Sequence, residues 1–111
     1  MIKIVNKKEK CLVDLSGELT IYSAEALKNG LTPAMTEPRP VEINLRGVTD
    51  IDTAGIQLLM LVKKERRQRG LDTSLVRHSK AVLDAFELFN LVPYFNDPVV
   101  LTRKKGAIHG P

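Results

Sequence analysis

The sequence predicts one small α/β domain, a mixed, mostly parallel sheet with helices mainly on one face. Three observations carry that reading. Apolar runs of period two alternate with runs of helical period through the middle of the chain, a pattern that requires crossover connections between parallel strands. The first two apolar runs, Ile2 to Val5 and Cys11 to Leu15, are separated only by the polar turn Asn6-Lys7-Lys8-Glu9-Lys10, which suits an antiparallel pair. A length of 111 residues at 43% hydrophobic composition is enough for one core and short for two.

In chain order, Gly17 is expected to end the second strand. Ser23 is an N-cap candidate for a first helix, in which Ala24, Leu27 and Leu31 recur at helical spacing while Glu25, Lys28 and Asn29 face away. Gly30 and Pro33 both weaken that helix, so its end is left open between them and Ala34-Met35; Pro38-Arg39-Pro40 stops it. Val41, Ile43 and Leu45 then alternate as a central strand that continues to Val48 and leads into Asp50-Ile51-Asp52-Thr53-Ala54-Gly55-Ile56. From Asp52 the period changes to helical: Ile56, Leu59 and Met60 form a stripe that Leu58, Leu61 and Val62 broaden, interrupted only by Gln57. Gly70 stops this helix and 71–76 returns as a strand. Ser79 caps a last helix with Val82, Phe86 and Phe89 on one face and Lys80, Asp84 and Glu87 on the other. Val99 to Leu101 could add an edge strand, so the domain is expected over 1–101, followed by a frayed basic tail over 102–111.

The formal charge of +4 is concentrated in Lys63-Lys64-Glu65-Arg66-Arg67-Gln68-Arg69 and in Arg103-Lys104-Lys105. The first cluster closes a helix, where cations complement the dipole, and it reads as a solvated helix end. With aromatic residues at 5% and no Trp, no stacking platform for single strands is visible, and no nucleic-acid partner is expected. The apolar part of the first residues is too short for a signal-peptide core and no later run has membrane-spanning length. A cytoplasmic protein without direct membrane insertion is therefore expected. The single cysteine, Cys11, lies among Leu12, Val13 and Leu15 and reads as a small buried hydrophobe.

Catalytic signals are missing. His78 and His109 are isolated, Cys11 has no partner at metal-ligand spacing, and no Gly-rich phosphate loop occurs, so neither an enzyme nor a cofactor is expected. Asp50 and Asp52 alternate around Ile51 and could in principle share a cation, but Asp52 as a helix cap and Asp50 as a turn residue explain them better. What remains is Thr53, a hydroxyl at a helix N-terminus, where unpaired N–H groups and the dipole favour an added anion.

Several spaced segments together resemble the STAS domain, shared by anti-sigma-factor antagonists and sulfate transporters. Leu15-Ser16-Gly17-Glu18-Leu19 is similar to that family's Gly-Glu-Leu turn, and Val41-Glu42-Ile43-Asn44-Leu45 to its central strand. Asp52-Thr53-Ala54-Gly55-Ile56 is similar to its Asp-Ser/Thr-Ser/Ala-Gly-Leu signature, and Phe86-Glu87-Leu88-Phe89-Asn90-Leu91 to the helix end that closes the domain. The resemblance runs from about Ile2 to Leu101.

It implies a binding module whose acceptor hydroxyl, here Thr53, is phosphorylated by a partner serine/threonine kinase, often itself the anti-sigma factor, and restored by a phosphatase. The unmodified form binds its partner. The implied partner surface comprises Asp52, Thr53, Ala54, Gly55, Ile56 and Gln57, with Thr20 and Tyr22 from the turn after the second strand. Two positions depart from the common antagonist pattern: Thr20 stands where many members carry Asp, and the acceptor is Thr followed by Ala54. Threonine is also found there in STAS subunits of the bacterial lipid-asymmetry ABC transporter, which dock on an ATPase, so that role is the alternative. Nucleotide binding is a weaker third reading that the missing phosphate loop opposes. A homodimer through the apolar helix face stays open.

Overall fold

In the computed structural model, residues 1–91 are described, and they form seven elements in the order β1 (Ile2–Asn6), β2 (Cys11–Leu19), α1 (Ala24–Met35), β3 (Val41–Ile51), α2 (Thr53–Gln68), β4 (Thr73–Val76) and α3 (Lys80–Leu88). The proposed edge strand over 99–101 and the tail lie outside the described residues. The strands make one sheet in the order β1-β2-β3-β4. β1 and β2 are antiparallel with Ile4 opposite Val13, while β2–β3 and β3–β4 are parallel, with Val13 opposite Ile43 and Ile43 opposite Leu75.

The alternation of each strand decides where the helices go. Val13 and Leu15, Val41, Ile43 and Leu45, and Leu75 point to one face and are buried, with Leu27 and Leu31 of α1, Leu59 and Val62 of α2, and Val82 and Phe86 of α3 in the same cluster. The opposite positions, among them Asp14, Glu42, Asn44 and Ser74, are polar and partly solvated. Cys11 belongs to the buried set at 2% exposure, as expected, and burial pushes its thiol pKa up.

Three expectations are corrected and one that was left open, the end of α1, is decided. Gly17 does not end β2. It adopts φ +81°, the pairing with β3 shifts on either side of it, and the strand runs on to Leu19, so this glycine bends the strand at an irregularity in the ladder. Ser23 precedes α1 but makes no side-chain cap, because its hydroxyl donates to the Glu18 carbonyl at 2.6 Å and accepts from the Thr20 N–H at 3.0 Å. α1 continues through Gly30 and Pro33 to Met35, holding Leu27, Leu31 and Ala34 in the core.

The basic end of α2 is not wholly solvated. Arg66 follows Leu59 and Val62 on the buried stripe and is itself fully buried. Its guanidinium donates to the carbonyls of Ala34 and Glu37 at 2.7 Å, of Arg39 at 3.0 Å and of Asp72 at 2.7 Å, and Nε donates to Thr73 Oγ1 at 2.6 Å. It therefore ties the end of α1, the loop before β3 and the start of β4 together. Beyond it, Gly70 at φ +72° lets the Gly70 and Leu71 N–H groups bond back to the Arg67 and Arg66 carbonyls, a Schellman stop.

Candidate functional site

The parallel pairing of β2 with β3 brings Glu18 opposite Asp50 and Leu19 opposite Ile51, so the loop leaving β2 and the turn leaving β3 emerge side by side. Asp52 joins them. With extended backbone (φ −120°, ψ −171°) it is the N-cap of α2, and its Oδ1 accepts the N–H groups of Ala54 at 2.9 Å and Gly55 at 3.1 Å. Its Oδ2 accepts the Ile21 N–H at 3.0 Å, and its own N–H donates to the Leu19 carbonyl at 3.2 Å. These bonds, that from Ile21 first, hold the Asp52 carboxyl below the usual carboxylate range. Both oxygens are occupied by backbone donors, as the capping reading of Asp52 expects.

Gly55 is required here for a steric reason. A Cβ at this position would run into the carbonyl oxygen of Leu19 and lie 2.8 Å from the Leu19 carbonyl carbon and Cβ. The first turn of α2 thus rests directly on the backbone end of β2.

Thr53, at the first position of α2, is exposed. Of the other residues of the expected surface, Gln57 is exposed and Tyr22 is 93% exposed. Ala54 and Asp52 are half-buried, and Gly55 and Ile56 are buried. Thr20 is 7% exposed, with Oγ1 accepting the Tyr22 N–H at 3.3 Å, so it shapes the loop from beneath. Two N–H groups of the first turn, those of Ala54 and Gly55, are already committed to Asp52. An anion on Thr53 would meet the helix dipole but also the Asp52 carboxylate next to it.

Sequence reasoning did not find three contributors. Ile21, 68% exposed, stands beside Tyr22 on the loop that Asp52 holds. Leu88 and Phe89, at the end of α3, are 78% and 46% exposed, and with Ala81, Asp84 and Ala85 they line a groove whose other wall is Asp50 to Thr53. Phe89 was expected on the buried face with Val82 and Phe86; instead Leu83 completes that face, and Phe89 is the helix C-cap. The clue in the sequence is that Ala81, Ala85 and Leu88 widen the apolar side of α3 beyond Val82, Leu83 and Phe86, more than one core face needs. Among the described residues, no group of three or more metal-ligating side chains gathers anywhere.

A family model described as "Mlab, STAS domain" matches residues 2–93. Among solved structures, a protein from Thermotoga maritima described as a candidate anti-sigma factor antagonist superposes with a TM-score of 0.77 at 16% identity, over 91% of this chain and 87% of its own. The anti-sigma factor antagonist SpoIIAA in its unphosphorylated form gives 0.70 at 17% identity, over 100% and 98%. A sulfate transporter family protein from Wolinella succinogenes gives 0.69 at 21% identity, over 86% and 79%. A further match, to the crystal structure of Mglu, takes in 66% of this chain but spans 18% of that one. At these identities the structures speak for the fold.

Proposed function

The chain belongs to the STAS domain family, and on that premise we propose that it is a protein-binding module of the anti-sigma factor antagonist type, switched by phosphorylation of Thr53. One observation carries this reading. Large exposed apolar side chains among the described residues are Met1, Ile21, Tyr22, Leu88 and Phe89, and all but Met1 flank the turn that presents Thr53. Apolar groups gathered around one exposed hydroxyl are what a partner protein would cover.

This chain supplies the acceptor hydroxyl, and the chemistry belongs to a serine/threonine kinase and a phosphatase. A phosphate adds about −1.5 to −2 charges in the middle of the docking surface. Beside Asp52 and Asp50 that charge would disrupt apolar contacts with the partner, so the unmodified form binds and the phosphorylated form lets go. That SpoIIAA exists in a phosphorylated form, a fold relative at TM-score 0.65, is consistent with this.

The Mlab description of the family model and the sulfate transporter relative favour a second reading, an accessory subunit docked constitutively on a transporter ATPase. Capture experiments in native extract separate the two. The switch predicts that wild-type protein retains a serine/threonine kinase or anti-sigma factor and that Thr53→Asp loses it. Retention of a transporter ATPase by both proteins supports the second reading and contradicts the first.

A further inference from the structure

Charge is unevenly placed along the domain, and a cluster of each sign has no ion-pair partner. At the end that carries Thr53, the β2–β3 ladder sets Glu18 opposite Asp50. Both are exposed, and neither is ion-paired within the described residues. Like charges on neighbouring strands repel, so this arrangement has a cost that a cation from outside would relieve. Glu25, exposed in the first turn of α1, and Asp52 add to the same end, whereas Lys80 is bound to Asp84 at 2.8 Å.

The opposite end carries the matching charge. α2 has 16 residues and is about 24 Å long, which sets Lys64, Arg67 and Arg69, all exposed, far from Thr53. The Arg39 carbonyl accepts from Arg66 at 3.0 Å, while the Arg39 guanidinium donates to the Lys7 carbonyl and to Asn6 Oδ1 at 2.8 Å. These bonds clamp the β1–β2 turn, with Lys7 and Lys8 exposed, to the end of α2. The cations of the two segments therefore share one rigid end. None of them is ion-paired within the described residues, in contrast to Lys10 with Glu42 and Arg39 with Glu37. The ends match in more than sign. Tyr22 and Phe89, 93% and 46% exposed, set aromatic rings beside the carboxylates, and an arginine or lysine can stack its stem on such a ring while its head pairs with a carboxylate.

We infer that the chain associates head to tail with a second copy, the basic end of α2 and the Lys7-Lys8 turn of one molecule seated on the Glu18, Asp50 and Tyr22 face of the next. Because the two faces lie at opposite ends, each contact leaves one face open on either molecule. The contact repeats, giving open rows and not a closed symmetric dimer. A row covers Thr53 and so withholds the chain from a partner that needs the same surface. A consequence follows for the switch. The Ala54 and Gly55 N–H groups are committed to Asp52, so a phosphate on Thr53 takes its strongest partners from outside the turn, and the cations of the next copy supply them. Phosphorylation then tightens the row as it releases the partner. That consequence rests on the function proposed above; the head-to-tail contact does not.

The test is sedimentation velocity on the full-length, unphosphorylated chain. At about 0.1 M salt the sedimentation coefficient should climb with concentration past that of two chains, and it should fall to the monomer value at about 1 M, where the Debye length is about 3 Å. Two variants neutralise one end each: Glu18→Gln with Asp50→Asn, and Lys64→Gln with Arg67→Gln and Arg69→Gln. Every one of these side chains is exposed, so both variants should keep the wild-type fold, which amide spectra check. Each variant alone should be monomeric. Their equimolar mixture should form a two-chain complex that grows no further, since one variant keeps the basic face and the other the acidic face. A monomeric wild type, a dimer that does not grow, or a mixture that stays monomeric would overturn the proposal. Association that survives the α2 substitutions and is lost on neutralising Arg103, Lys104 and Lys105 would do so too. Because no phosphate or partner is involved, failure here leaves the Thr53 switch standing, and absence of Thr53 phosphorylation leaves the rows standing.

Discussion

The Asp52 carboxylate accepts the backbone N–H of Ile21 across 3.0 Å, joining residues 31 positions apart in the chain. The same side chain caps α2, so one carboxylate sets the position of both the acceptor hydroxyl and the exposed Ile21-Tyr22 pair. Asp52→Ala should lower the denaturation midpoint and produce its largest amide shifts at Ile21, Ala54 and Gly55. Asp52→Asn keeps a carbonyl oxygen for the helix cap but turns an NH2 toward Ile21, so its shifts should concentrate at Ile21. Urea denaturation and amide spectra of the two variants check this.

The pH dependence follows from two carboxyls held low in the native state. Asp52 is depressed by its backbone bonds, that from Ile21 foremost, and Glu37 is lowered to about 2 by its hydrogen bonds with Arg39. A carboxyl depressed on folding contributes its full stabilisation above its unfolded pKa and loses it as pH falls through the native one. The denaturation midpoint should therefore stay level down to about pH 5 and decline from there toward pH 2. Asp52→Asn combined with Glu37→Gln should flatten that decline; an equally steep fall in the double variant would assign it to other groups.

Gly55→Ala adds one methyl where the Leu19 backbone already stands. The first turn of α2 must move off β2, at a cost of about 1–3 kcal/mol by analogy with overpacked cores. Amide shifts should spread along Leu19 to Tyr22. Gly70→Ala meets no atom within contact distance, so its smaller cost comes from the positive φ alone, and equal losses from the two variants would contradict this packing.

Arg66 has a different role. Removing its guanidinium as Arg66→Met takes a donor from four carbonyls; those of Ala34 and Asp72 keep the Glu37 and Val41 N–H groups, so the loss of about 2 kcal/mol or more comes mainly from the Glu37 and Arg39 carbonyls, each unsatisfied group costing about 1–3. Arg66→Lys should rescue little, because one ammonium cannot reach four carbonyls fanned around a planar fork. Thermal denaturation of both variants checks the claim.

How much of this was legible in the sequence depended on whether a residue's role is local. Capping by Asp52 and Ser79 follows from residue type beside a change of period, and both caps are present, as is the stop at Gly70. Gly17 was misread because a lone glycine in a strand marks either an end or a bend, and only the pairing with β3 decides between them. Arg66 was misread because three of its partners, the carbonyls of Ala34, Glu37 and Arg39, lie 27 to 32 residues away, although its place on the Leu59-Val62 stripe was a usable sign. The STAS signature led to Thr53 and its immediate neighbours. Ile21, Leu88 and Phe89 required tertiary contacts, since a helix end and a loop meet Thr53 only once the sheet is paired.

Thr53 itself is exposed and carries no packing role, so Thr53→Val and Thr53→Ala should leave the denaturation midpoint within error of wild type. Any loss of partner binding in Thr53→Asp can then be read as a surface effect. The most direct measurement is phosphate mapping by mass spectrometry on the chain isolated from its native cells, with phosphatase-treated and Thr53→Ala samples as controls. The account predicts phosphate on the peptide containing Thr53, removed by phosphatase and absent from the variant. A chain that carries no phosphate at Thr53 under any growth condition, yet keeps its partner, would contradict it.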